Sequence, residues 1–123
     1  MPGSPAFARI RRDVLRIVAA IPAGRVSSFR AIGAHLDVMP RHVAYILAQL
    51  SDDEQQLIPW HRVVSDGGAI ARVKRDARGR AQADLLIAEG VALDGSGGVA
   101  DFGERFFAIT EEATGVPAGA RPR

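Results

Sequence analysis

Cysteine is absent from all 123 residues, which excludes disulfides, thiolate metal sites and every cysteine-nucleophile mechanism for this chain. Tryptophan and tyrosine occur once each, as Trp60 and Tyr45, so each aromatic carries individual weight. No apolar run approaches the roughly 18 residues that a membrane span requires. The opening Met1-Pro2-Gly3-Ser4-Pro5 lacks a basic stretch followed by an apolar one, so it does not read as a signal peptide, and the expected compartment is the cytoplasm. Gly95 to Gly98 lacks the lysine and helix of a phosphate-binding loop. His35 and His42 have no carboxylate at ligand spacing, so neither metal nor cofactor is expected.

What remains is a globular composition, 47% hydrophobic and 24% charged, at a length that suits one domain with a real core. Charge is unevenly placed. Residues 1–50 hold seven arginines against Asp13 and Asp37, residues 62–80 hold six basic residues against Asp66 and Asp76, and residues 84–112 hold seven acids against Arg105. A basic front and an acidic back point to a polyanionic partner. Lys74 is the only lysine; an arginine bias also arises from GC-rich genomes, so the position of the charge carries more than its type.

Ser4-Pro5 reads as a helix start, and Phe7, Ile10, Val14, Ile17, Val18 and Ile21 form an amphipathic stripe that Pro22-Ala23-Gly24 ends. Ser28 can cap a second helix through about Leu36, and Pro40 can open a third over roughly 41–50. In that third helix Val43, Ile46, Leu47 and Leu50 face the core, while Arg41, Ala44, Tyr45 and Ala48 form a small, nearly flat stripe beside them. The pair reads as a helix-turn-helix or, on pattern alone, as a plain helical hairpin. Residues 51–56 read as an acidic loop. The apolar arms 57–64 and 69–71 around Asp66-Gly67-Gly68 read as a β-hairpin, which would serve as a wing. A further helix is expected over about 77–89, stopped by Gly90. The expected architecture is a mainly helical α/β domain of winged helix-turn-helix type over residues 1–110, with 111–123 as a disordered tail.

One ordered set of motifs is far more specific. Ile21-Pro22-Ala23-Gly24-Arg25-Val26, then Pro40-Arg41-His42-Val43-Ala44, then Pro59-Trp60-His61-Arg62-Val63, then Glu89-Gly90 resembles the O6-alkylguanine-DNA alkyltransferases across about residues 7–107. The enzymes' motif reads proline-cysteine-histidine-arginine-valine. Trp60 stands in the cysteine's place, the substitution that marks the alkyltransferase-like proteins.

The resemblance implies a non-enzymatic DNA-damage sensor, likewise without cofactor. It would bind double-stranded DNA through the minor groove as a monomer. It would flip O6-alkylguanine into a pocket beside Trp60 and flag the lesion for nucleotide excision repair proteins. His61 and Glu89 match the residues that activate the enzymes' cysteine, and here they would shape the pocket together with Pro59. Arg41 matches the arginine that replaces the extruded base. Ala44 and Ala48 match the small residues that let the helix approach the groove, whereas Tyr45 is bulkier than usual. Ser28 and Phe29 join that DNA-binding set, Phe29 standing where the family carries a tyrosine. Arg72 and Arg75 compete for the position of the arginine beside the lesion. Residues 51–56 run about two longer than usual. A winged-helix regulator without lesion specificity is the alternative.

Overall fold

The computed structural model describes residues 4–70 and 75–119. Helix α1 (Pro5–Ala20) starts where Ser4 Oγ accepts from the Phe7 N–H at 3.0 Å, and it buries Val14, Ile17 and Val18 completely. A two-residue strand β1 (Ser27–Ser28) leads into α2 (Phe29–Leu36), whose first turn is closed by Ser28 Oγ accepting from the Ala31 N–H at 3.0 Å. Asp37 turns the chain in a left-handed conformation, φ 60°, and α3 (Pro40–Ala48) follows. The two helices meet closely at Gly33. A Cβ there would lie 2.6 Å from the Val38 carbonyl oxygen, so no larger residue fits without moving the turn. Val43, Ile46 and Leu47 fill the core beneath, as their spacing predicts. This is the helix-turn-helix, and the domain is the expected mainly helical α/β fold.

Four expectations are corrected. Residues 51–56 are not a loop: α4 (Asp52–Leu57) forms there, held by a reciprocal capping box in which Ser51 Oγ accepts from the Glu54 N–H and Glu54 accepts from the Ser51 N–H. Three acids in its first turn favour the positive end of the helix dipole, and with no apolar stripe it leaves no periodicity to read. The hairpin is not formed among the described residues. Instead β2 (Val63–Val64) pairs in parallel with β1, Ser27 opposite Val63 and Ser28 opposite Val64. Both valines are about 1% exposed, and burial on both faces is the habit of parallel rather than hairpin strands. Asp66 to Gly68 form a tight turn closed by the Ser65 N–H donating to Ala69 O.

The helix expected from residue 77 begins later, as α5 (Gln82–Ala88), because Asp76 organises 76–80 into a turn by accepting from the backbone N–H groups of Arg78 and Arg80. After α5 come two single-turn helices, α6 (Phe102–Arg105) and α7 (Glu111–Thr114). The tail expected to be disordered is packed as far as Gly119. Val116 is fully buried in the main core, His35 Nε2 donates to its carbonyl at 2.7 Å, and the Gly119 N–H donates to His35 O at 2.7 Å. One isolated apolar residue in a Gly/Pro/Ala-rich stretch has no periodicity, yet it locks the stretch against α1 and α2.

Val116→Ala should therefore destabilise the domain by about 1–3 kcal/mol in urea unfolding, the cost of removing two buried carbons and leaving a void. A change below about 0.5 kcal/mol, the range of ordinary surface substitutions, would show the segment to be undocked.

Candidate nucleic-acid interface

The outer face of α3 presents Arg41, Tyr45 and Ala48 to solvent, with Ala44 half-buried between them. Tyr45 stacks edge-on against Phe7 of α1, ring centroids 6.4 Å apart. Pro40 opens the helix, so Arg41 sits in its first turn. The result is a shallow surface with one cationic projection at its start and one aromatic ring at its middle. Phe29, at the start of α2, is half-buried and lines a separate cavity, described below. Ser28 does not stand on the outer face: it is 6% exposed, and its hydroxyl caps α2.

Trp60 begins a single 3-10 turn, Trp60–Arg62, just after α4. Its side chain is only 4% exposed and belongs to the main core. Two concavities share it as a wall. One, of about 140 Å³, is bounded by Phe29, Leu47, Val63, Ser65 and Gln82. The other, a more polar groove of about 420 Å³, is bounded by Pro59, His61, Arg62, Gln55, Arg78 and Arg80. A larger apolar groove of about 830 Å³ between α1 and the helix-turn-helix turn touches none of the residues 59–63.

Beneath the turn, Glu89 ends α5 and gathers three segments. Arg62 grips it with Nη2 to Oε2 at 2.6 Å and Nε to Oε1 at 3.0 Å, His61 Nε2 donates to Oε2 at 2.8 Å, and the Gly24 N–H donates to Oε1 at 3.3 Å. Arg62 also donates from Nη1 to Ile21 O at 2.7 Å. Burial alone would raise the Glu89 pKa, but the hydrogen bonds from Arg62 and then His61 outweigh it and hold the carboxyl at about 2. Burial lowers the His61 pKa below its ordinary value against the pull of Glu89, which favours the neutral ring at neutral pH. Gln82, which the sequence reading passed over, is 5% exposed and donates from Nε2 to His61 O and Val63 O at 3.0 and 2.9 Å. The clue available in sequence was a polar residue on the inward stripe of a helix that is otherwise apolar there.

The structure thus brings Pro59, Trp60, His61 and Glu89 together. Arg75 stands apart: it is exposed, its Nη1 donates to Gly79 O at 2.8 Å, and it lines neither concavity. Arg72 lies outside the described residues. Among the described residues no cluster of potential metal ligands occurs.

A helix-turn-helix with a flat, arginine-led second helix, set on a domain with a concave aromatic site, defines a DNA-binding class of domain. The family model of the 6-O-methylguanine DNA methyltransferase DNA-binding domain matches residues 9–91, and the chain belongs to that family. The curated "DNA base-flipping protein" of Escherichia coli (strain K12) is 41% identical over 87 residues, and that of Shigella flexneri matches equally. The aligned region is 68% of this chain and spans 64% of the length of those relatives. Among solved structures, S. pombe Atl1 in complex with damaged DNA containing O6-carboxymethylguanine superposes with a TM-score of 0.66 at 26% identity, covering 81% of this chain and 95% of that one. A second S. pombe ATL structure in complex with DNA, at 23% identity and the same TM-score, repeats the fold.

Because Glu89 is held at about 2 when folded and titrates near 4.5 otherwise, its contribution is complete above about 4.5 and is lost as pH falls toward 2. Glu89→Gln should cost about 1–3 kcal/mol at neutral pH, and the gap to the unaltered protein should narrow steadily between about pH 5 and pH 2 in urea titrations. Parallel stability curves for the two proteins would show that Glu89 does not carry this ion pair.

Proposed function

We propose that this protein binds DNA with α3 in the minor groove, turns O6-alkylguanine out of the stack into the site beside Trp60, and holds it without alkyl transfer. The complex then marks the lesion for nucleotide excision repair. The observation that carries the reading is the placement of Trp60. It walls both concavities, on top of the His61–Glu89 pair, where the resemblance puts the nucleophile of the enzymes.

The chemistry follows from the residues. Displacement at an alkyl carbon needs a nucleophile with an available electron pair, and the chain has no thiol. The indole has no such pair to give, but offers a broad apolar face for a purine and its substituent. His61 and Glu89 have no thiol to activate here. Glu89 is saturated by Arg62, His61 and Gly24, so the pair acts as a clamp that fixes the 3-10 turn bearing Trp60.

Flipping costs a few kcal/mol of unstacking, which a side chain inserted into the gap partly offsets. Arg41 makes no ion pair among the described residues and stands exposed at the start of α3, free to enter a duplex. Ala44 and Ala48 keep the helix surface low around it. Phe29 supplies a ring to the smaller cavity without a hydroxyl, so rotation of the nucleotide depends on other donors.

Arg41→Ala should weaken binding to a duplex carrying one O6-methylguanine by about 1–3 kcal/mol, the scale of one good charged contact. The loss should shrink when the lesion lies opposite a mismatch or in single-stranded DNA, where less unstacking is needed. Fluorescence anisotropy at fixed salt measures both. An equal loss on every substrate would make Arg41 a backbone contact and remove its part in extrusion.

A further inference from the structure

Helix α1 carries two stripes. One is buried and fills the core. The other runs through Ala8, Arg12, Leu15 and Ala19, at steps of four, three and four, so these residues share one line on the outside of the helix. Together with Ile58 and the flanking Arg11 and Arg16, they enclose a shallow depression of about 480 Å³. Alanine stands at both ends and leucine between them, so the floor is low over roughly 17 Å, the rise of about eleven helical residues. Beside Ile58 in the chain, Leu57 ends α4 with 80% of its surface exposed. Helix α4 buries none of its residues; it is held by its capping box and by Arg11, whose Nη2 donates to Glu54 Oε1 at 2.8 Å. Leu57 thus adds little to the packing of its own domain.

Charge of one sign surrounds this floor. Arg11 is neutralised by Glu54, but its neighbours along α1 are not matched in the same way. Arg9 is exposed and makes no ion pair among the described residues, and Arg16 donates to the neutral Gly115 carbonyl at 3.3 Å. Arg12, with its side chain 64% exposed, has only Asp13 at 3.8 Å. The acids of α4 lie in its first turn, at the opposite end from Leu57. Glu111 and Glu112 of α7 form no ion pair with these arginines among the described residues.

An apolar floor is a poor seat for a phosphate backbone, which asks for hydrogen-bond donors along its length. It suits the apolar face of a helix, with carboxylates on the flanks to meet the guanidinium groups. We propose that the outer stripe of α1, with Leu57 and Ile58, is a docking surface for an acidic amphipathic helix of another protein. No residue of α3 lines the depression, so the partner and DNA bind at the same time. Ala19 and Ile58 also border the groove beside Trp60, which places the partner next to that site. The proposal goes beyond the base-flipping reading and does not depend on it.

The test uses three fluorescent helical peptides, each of roughly 18 residues so that a helix is sustained. One carries leucines at three- and four-residue steps with glutamates on the flanks. In the second, lysines replace the glutamates; in the third, serines replace the leucines. Anisotropy titrations should show saturable binding of the first peptide alone. Leu57→Ser should weaken it by about fivefold or more, the scale of a lost apolar contact. Arg12→Gln should weaken it by about two- to fivefold, the scale of an exposed ion pair. Both variants should melt with the unaltered protein, and an O6-methylguanine duplex at saturation should leave the peptide bound. Absence of saturable binding overturns the proposal, as does equal binding of the lysine peptide or indifference to both substitutions. Displacement of the peptide by duplex overturns it as well, and makes this face a DNA contact.

Discussion

Three stretches far apart in sequence meet on one carboxylate. Glu89, at the end of α5, is gripped by Arg62 and His61 of the 3-10 turn and by the backbone of Gly24 in the turn after α1. Arg62 extends the tie to Ile21, and Arg105 adds a second strap by donating to Gly24 O and Gly90 O. A partly buried carboxylate is costly to desolvate, and only this many donors makes it favourable. The return is positional. Trp60 precedes these partners directly, so the clamp sets where the indole stands relative to the two cavities it divides. His61 and Glu89 thus have a structural use in a chain that holds no thiol.

The second constraint is closeness between α2 and α3. Gly33 lets the Val38 carbonyl sit where a Cβ would be, and Val43, Ile46 and Leu47 fix α3 to the core by one stripe. The opposite stripe is left free, and it carries Arg41, Tyr45 and Ala48. A rigid scaffold below and a low outer surface suit the groove-binding part proposed for α3. Trp60 has a double part in this scheme. It is a core residue at 4% exposure as well as a wall of both concavities.

Much of this was legible before any coordinates. The α1 stripe, the caps at Ser4 and Ser28, and the divided faces of α3 all follow from periodicity and capping chemistry, and each is found. The His61–Glu89 pairing was readable only through motif resemblance, since 27 residues separate the two in sequence and nothing local signals their meeting. What escaped has physical causes. Helix α4 is stabilised by its cap and its acidic first turn rather than by burial, so a search for apolar periodicity misses it. Val63 and Val64 looked like a hairpin arm because an apolar pair before Asp-Gly-Gly fits that pattern; their partner is Ser27-Ser28, brought alongside by the fold rather than by the turn. Val116 shows how one buried side chain orders a segment whose composition reads as tail.

The central claim is recognition of an alkylated guanine without its repair. The most direct measurement is a titration of matched duplexes, guanine against O6-methylguanine carrying a labelled methyl group, followed by separation of protein from DNA. The account predicts tighter binding of the methylated duplex by about 1–3 kcal/mol, the scale of one base held against an aromatic face, with all label recovered on the DNA. Equal affinity for the two duplexes, or label on the protein in stoichiometric amount, would contradict it.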